Sequence, residues 1–154
     1  MVSPSNPKEA KERIETWLKE EGYSYSPVTG EQASNTLFNH LVHLPDGKHH
    51  VNIFQPSTKE DSISVSTGLL FTEEQRKGFS QKTRIERDEI LSEMRFKLAS
   101  IDVEFGFING QMPKAMQFTH PIYYDALTKD RFFKAITTVF KAFKIASWAF
   151  GQSL

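Results

Sequence analysis

The chain has 154 residues, with 19 basic and 19 acidic side chains, no cysteine and 13 phenylalanines. Because cysteine is absent, disulfides, zinc thiolate sites, iron–sulfur clusters and cysteine nucleophiles are excluded. A net charge of zero argues against a protein whose main work is to neutralise phosphates or an anionic membrane. A chain of this length buries enough surface for a core of its own, so we expect residues 1–154 to form a single globular domain.

The chain carries no recognisable targeting pattern. Residues 1–8 lack the apolar stretch of a secretory signal. The most apolar region, 132–150, is interrupted by Lys134, Lys141 and Lys144, which makes it a poor membrane span. We therefore expect a cytoplasmic protein.

Capping residues mark the first helix. Asn6 can accept a hydrogen bond from a free backbone amide, and Pro7 suits the first helical position because it has no N–H to satisfy. Gly22 is the type of residue that takes the left-handed conformation after a helix. The helix is therefore predicted to end near Gly22. Its apolar stripe consists of Ile14, Trp17 and Leu18.

Strands are predicted next, between turn signals, at 23–28, 37–44, 48–55 and 62–70. Apolar and small polar residues alternate in 62–70, which is typical of a half-buried strand. Pro45-Asp46-Gly47 predicts a hairpin with a three-residue loop, in which Leu44 lies opposite Lys48. In this register one face carries Phe38, Val42, Leu44 and Phe54. The opposite face carries Leu37, Leu41, Val51 and Ile53.

The C-terminal half begins with two capping-box patterns, at Thr72 and Thr83, which predict a short helical turn leading into a longer helix. The apolar side of the longer helix consists of Ile90, Leu91, Met94, Leu98 and Ile101. A second hairpin is predicted, with strands at 103–107 and 115–124, a turn at Asn109-Gly110 and a loop around Met112-Pro113. It precedes a last helix that begins at Thr128. The order α-β-β-β-β-α-β-β-α predicts an α+β fold with an antiparallel sheet of about five or six strands.

The histidines are concentrated in the first hairpin, at His40, His43, His49 and His50. In the predicted register His43 faces His49, while His40 and His50 lie on the other face. Two imidazoles on a face fall short of the three or four ligands that zinc requires. We therefore expect no metal site. The alternative is a metal-assisted hydrolase that uses His43, His49 and a carboxylate from elsewhere in the fold.

Catalytic motifs are absent from the sequence. It contains no Gly-x-Ser-x-Gly elbow, no Ser-x-x-Lys and no glycine-rich loop placed before a helix to hold phosphate. We assign no catalytic residue and expect no cofactor, which favours a non-enzymatic protein.

The last helix has more apolar surface than one core face needs. Phe133, Phe140 and Trp148 widen its stripe, and we predict that they form an interface in a homodimer or with a protein or peptide partner. Lysines run along the same helix, so the alternative is a basic amphipathic helix that binds nucleic acid or a membrane surface. Lysines opposite a core-facing stripe are more often a solvated face, and we expect neither partner.

Three segments, Val51–Pro56, Met94–Leu98 and above all Ile122–Phe133, resemble an uncharacterised, mainly archaeal family of about this length. This family has no assigned catalytic residues, so the resemblance implies no site. The element order resembles the small α/β fold of type III secretion chaperones, which are typically homodimers that bind extended peptide segments. This second resemblance implies a homodimeric, chaperone-like binding module.

Overall fold

The computed structural model describes residues 2–108 and 114–153, with side chains as far as residue 151. The helices in this part of the chain are α1 (Pro7–Glu20), α2 (Glu73–Ser80), α3 (Arg84–Ala99) and α4 (Lys129–Ser153). The strands are β1 (Tyr25–Pro27), β2 (Thr36–His43), β3 (His50–Pro56), β4 (Ser62–Leu70), β5 (Glu104–Ile108) and β6 (Ala115–Tyr123).

These strands form a six-stranded antiparallel sheet in the order β1-β2-β3-β4-β6-β5. The predicted α+β class and the antiparallel sheet are therefore confirmed. The predicted order has one helix between β4 and β5, whereas the structure has two, because the short helical turn expected at Thr72 is the eight-residue helix α2. The turn expected around Asn109-Gly110 and Met112-Pro113 lies outside the described residues.

The chain forms two compact units. Unit 1 consists of Met1–Ser66 and His120–Thr137, and unit 2 consists of Thr67–Thr119 and Thr138–Leu154. The single domain expected from the chain length stays a prediction.

Helix α1 supplies part of the core of unit 1. Its cap is the predicted one, because Asn6 Oδ1 accepts a hydrogen bond of 2.9 Å from the backbone N–H of Glu9. Gly22 follows the helix with a φ of 75°. The predicted apolar stripe is buried, and the Trp17 ring packs 5.7 Å from the ring of Phe132.

The first hairpin differs from the prediction by one residue. The backbone N–H of Leu44 donates to the carbonyl of His49 at 2.9 Å, and His43 pairs with His50, so the loop has four residues. Asp46 explains the longer loop, because its Oδ1 accepts from the backbone N–H groups of Lys48 and His49 at 2.8 and 3.0 Å.

This shift reverses the faces of β3, since neighbouring residues of a strand point to opposite sides. Val51 and Ile53 are buried opposite Val42 and His40, whereas Phe54 lies on the other face and is only half-buried. The predicted grouping of Phe54 with Val42 is therefore wrong.

Unit 2 contains the two predicted capping boxes. The hydroxyls of Thr72 and Thr83 each accept a hydrogen bond from the backbone N–H three residues later. In turn, the side chains of Gln75 and Glu86 accept from the backbone N–H groups of Thr72 and Thr83. Phe150 packs against the rings of Phe71 and Phe79, with centroids 4.3 and 5.5 Å away. The buried apolar residues of α3 are Met94 and Leu98, whereas Ile90 and Leu91 are half-buried. Ile101, predicted on the same helix, lies beyond its end at Ala99.

Candidate functional site

The three predicted interface residues of α4 lie in different surroundings. Phe133 is half-buried in unit 1, with its ring 5.3 Å from the ring of Tyr23. Phe140 is half-buried in unit 2 and stacks on Phe143 at 5.7 Å, with 13° between the planes. Trp148 is 60% exposed. The strongest candidate for an intermolecular contact is therefore the C-terminal half of the helix.

Phe140, Lys144 and Trp148 form one surface, which we call the α4 patch. They are four residues apart, so they follow one another on the same side of the helix. The Lys144 ammonium lies 4.7 Å from the centre of the Phe140 ring, a cation–π contact. The patch therefore combines an exposed indole with an aromatic ring that a cation already covers on one side.

Unit 2 exposes further large apolar side chains that the sequence reasoning did not single out, namely Leu70, Ile85, Phe96 and Ile108. Phe96 is 82% exposed, although it lies in α3 between the buried residues Met94 and Leu98. The exposure of Phe96 could have been predicted from its position in the sequence. A residue two positions from both core residues of a helix points away from the core.

Two lysines in the first part of α4 are paired with carboxylates. Lys129 Nζ donates to Glu20 at 2.7 Å and also contacts Glu21 at 2.8 Å, and these carboxylates raise the pKa of Lys129. Lys134 pairs with Asp130 at 2.9 Å. None of the helices in the described part of the chain combines the length and the apolar character needed to cross a membrane.

The histidine cluster is arranged differently from the prediction. His43 pairs with His50 across the hairpin, and His49 lies in the turn, where its Nδ1 is 2.5 Å from Asp46 Oδ2. The expected pairing of His43 with His49 is therefore wrong. The hydrogen bond from His49, followed by those from the backbone of the turn, lowers the pKa of Asp46 to about 2.

The described residues provide no ligand set for the alternative, a metal-assisted hydrolase. Among residues 2–108 and 114–151, no three histidine or acidic side chains are placed to hold one metal ion. Asp46 instead fixes the geometry of the hairpin loop.

His40 belongs to the core of unit 1. It is buried, and its Nε2 lies 3.9 Å from Glu15 Oε2, beyond hydrogen-bond distance. Its ring nitrogens have no hydrogen-bond partner in the described part of the chain, and its ring packs beside Tyr25 and Phe38. Burial lowers the pKa of His40, although the Glu15 carboxylate acts in the opposite direction. The imidazole is therefore kept neutral near pH 7.

A buried polar contact in unit 1 joins β3 to the residue that follows β6. The Tyr124 hydroxyl donates to Gln55 Oε1 at 2.6 Å, and the Gln55 amide donates to the backbone carbonyl of Lys59. The backbone N–H of Tyr124 donates to the carbonyl of Asp61 at 2.7 Å. Burial is the main cause that raises the pKa of Tyr124 to about 12. The phenol is therefore protonated near pH 7, and its contacts hold the β3–β4 loop against the end of β6.

Comparison with known proteins places this architecture in a family. A profile of uncharacterized conserved proteins, DUF2299, matches residues 10–150. The chain belongs to the DUF2299 family. A crystal structure of an uncharacterized protein from Methanothermobacter thermautotrophicus is similar to it, with 28% sequence identity and a TM-score of 0.83. The similarity covers 93% of this chain and 97% of that chain.

A comparison with curated proteins found no match. The predicted resemblance to an uncharacterised family is confirmed, and DUF2299 membership assigns no activity to any residue. The function of this chain is unknown, so a proposal has to rest on its own surfaces.

Proposed function

We propose that this DUF2299 protein is a non-enzymatic protein-binding module that acts as a homodimer through the α4 patch. The observation that carries the proposal is the exposure of Trp148 next to Phe140 and Lys144 on one side of a helix. Tryptophan is enriched among the residues that dominate protein–protein binding energy. Burying its apolar area stabilises a contact by roughly 25 cal/mol for each Å².

A second copy is the occupant that we assign to the patch. The commonest symmetric dimer uses the same surface on both chains, so one apolar patch per chain is enough to build the contact. The chain has no net charge, so two copies do not repel each other through an overall charge. We include a cytoplasmic location in the proposal, because a chain without cysteine needs no oxidising compartment to fold.

The element order supports a chaperone-like form of this function. The described chain runs from a helix through four strands, two helices and two strands to a last helix. We propose that this order is a chaperone-like arrangement, similar to that of type III secretion chaperones. We infer from this resemblance that the partner is bound as an extended peptide.

The homodimer can be tested by placing charge in the patch. We expect the double variant Phe140→Glu, Trp148→Glu to sediment as a monomer while its circular dichroism stays native, because four glutamates would meet at the two-fold contact. Arg131→Glu is the control, since Arg131 is exposed near the other end of α4 and the substitution also introduces a carboxylate.

Two outcomes would contradict the proposal. If the double variant unfolds, Phe140 and Trp148 are core residues and the α4 patch is not an interface. If it folds and sediments like the unmodified chain, the contact between copies does not use α4.

A further inference from the structure

The two outer strands of the sheet differ in how they protect their free edge. β1 has three residues and ends at Pro27, which has no backbone N–H to offer to another strand. β5 has five residues, Glu104–Ile108, and contains neither proline nor lysine. An outer strand presents unpaired N–H and C=O groups unless such devices block it. Of these two strands, β5 is the one to which another strand can be added.

A hollow of about 300 Å³ lies beside β5 and is centred on Gly106. Residues 104, 106 and 108 point to one face of the sheet. Because Gly106 has no side chain, a gap lies between the side chains of Glu104 and Ile108. Phe105 and Phe107 of β5 and Gln117 and Thr119 of β6 complete the lining. The hollow is open to solvent, since Gly106 is exposed and Ile108 is 47% exposed.

Gly106 is not required by the backbone or by packing. Its φ is not positive, and a Cβ atom built on it would meet no heavy atom within 4 Å in the described part of the chain. Glycine weakens a strand relative to residues with a side chain. The only consequence of glycine that the structure shows here is the hollow itself.

We propose that β5 pairs with an extended peptide of a partner protein, antiparallel to the strand. The peptide carries an aromatic residue opposite Gly106 and a lysine or arginine opposite Glu104. This inference deepens the protein-binding function proposed above and rests on it, because it names the peptide and the strand that receives it. Addition of a strand to a sheet edge is a recurrent mode of peptide recognition.

The chemistry of the peptide follows from the two residues that it faces. An aromatic ring opposite a glycine on an outer strand covers the exposed backbone of that glycine. Opposite charges attract when they face each other across a ladder. Glu104 is exposed, and its carboxylate has no ion pair or hydrogen bond among residues 2–108 and 114–151, so a cation in the peptide would supply one.

A second copy of β5 fits this edge less well than such a peptide. In an antiparallel pair centred on Gly106, that glycine would face the same glycine of the other copy, and Glu104 would face Ile108. The hollow would stay unfilled and the carboxylate would stay without a cation. A peptide of a different protein is therefore the occupant that we assign.

The test uses a fluorescent peptide, Ser-Ile-Thr-Tyr-Thr-Lys-Ser with blocked ends, and fluorescence anisotropy with the full chain. In the antiparallel register its tyrosine faces Gly106 and its lysine faces Glu104. We expect alanine in place of the tyrosine to weaken binding about tenfold, and glutamate in place of the lysine to weaken it about threefold.

Gly106→Val tests the hollow from the side of the protein. The added side chain meets open space in the free protein and favours a strand, so we expect an unchanged melting temperature and about tenfold weaker binding. Gly106→Ala is the milder variant, with an expected loss of about threefold, and it replaces the valine variant if that variant melts early. Gly68→Ala is the matched control, because Gly68 is exposed on β4 and its added Cβ would lie 3.6 Å from the Met116 carbonyl, an ordinary contact.

Three results would overturn the inference. Equal binding by the unmodified chain and the Gly106 variants would place the peptide elsewhere on the protein. No anisotropy change with any peptide at millimolar protein would show that the edge binds no such strand. A fall in the solution mass of Gly106→Val would show that a second copy uses the edge. The homodimer is tested separately by the charge variants of α4, so its failure would not be mistaken for failure at β5.

Discussion

Unit 1 and unit 2 differ in how many of their large apolar side chains are exposed to solvent. In the described part of unit 1 the exposed ones are Val2, Leu37 and Tyr123. In unit 2 they are Leu70, Ile85, Phe96, Ile108 and Trp148. Unit 1 contains residues 1–66 and 120–137 and is the larger unit, yet among the described residues it exposes fewer of these side chains.

The difference parallels the two binding surfaces proposed above. Unit 1 uses its apolar residues for stability and pairs the buried polar groups of Gln55 and Tyr124. Unit 2 leaves apolar residues on its surface, and large exposed apolar patches mark sites of interaction. Both surfaces that we propose for binding, the α4 patch and the free edge of β5, belong to unit 2.

The largest expected difference in stability is between two phenylalanine-to-alanine variants, one in each unit. Phe132 is fully buried against Trp17 in unit 1, so we expect Phe132→Ala to lower the free energy of unfolding by about 3–5 kcal/mol. Phe96 is exposed in unit 2, so we expect Phe96→Ala to change it by no more than about 0.5 kcal/mol. Urea denaturation measures both values. Similar losses in the two variants would remove the contrast between the units.

The next effect concerns the buried hydrogen bond of unit 1. Tyr124→Phe removes the hydroxyl that donates to Gln55 and leaves a buried oxygen without that donor, so we expect a loss of about 1–3 kcal/mol. Tyr123→Phe is the control, because it removes a phenolic hydroxyl from an exposed tyrosine. Equal stability of the two variants in urea would mean that this hydrogen bond does not hold the β3–β4 loop against the end of β6.

A helix cap of unit 2 should have a smaller effect. Thr83 accepts from the backbone N–H of Glu86 at 3.2 Å, so we expect Thr83→Ala to lower the free energy of unfolding by about 1 kcal/mol. Thr83→Ser keeps the hydroxyl and should restore most of that stability. Thermal unfolding followed by circular dichroism compares the variants, and a serine variant as unstable as the alanine variant would argue against capping.

The smallest expected effect is a dependence of stability on pH. His40 has a lowered pKa in the folded protein, so the unfolded chain binds the proton more readily. Stability is then fully present above the unfolded pKa of about 6.5, and it decreases as the pH falls below that value. We expect melting temperatures between about pH 7.5 and 5 to fall less steeply in His40→Leu than in the unmodified chain. A slope unchanged by His40→Leu would contradict this assignment.

Local signals predicted most of the fold. Asn6, Thr72 and Thr83 cap the helices that their sequence patterns indicated, because a cap depends on residues within one helical turn. Strand β4 has the predicted bounds, since alternation at period two is also a local property.

The faces of the hairpin could not be predicted in the same way. They depend on the length of one loop, and Asp46 adds a residue to it through two side-chain hydrogen bonds. Because the loop is one residue longer than predicted, Val51 and Ile53 lie on the buried face and His43 pairs with His50 instead of His49. The hollow at Gly106 was also missed, because it depends on the pairing of β5 with β6 and on the place of β5 at the edge of the sheet.

The solution mass of the unmodified chain tests most directly whether the α4 patch holds two copies together. One chain has a mass of 17.7 kDa, and we expect light scattering to give twice that value. We expect the mass of Phe140→Glu, Trp148→Glu to return to that of one chain. A mass of 17.7 kDa for the unmodified chain at every concentration measured would contradict the homodimer.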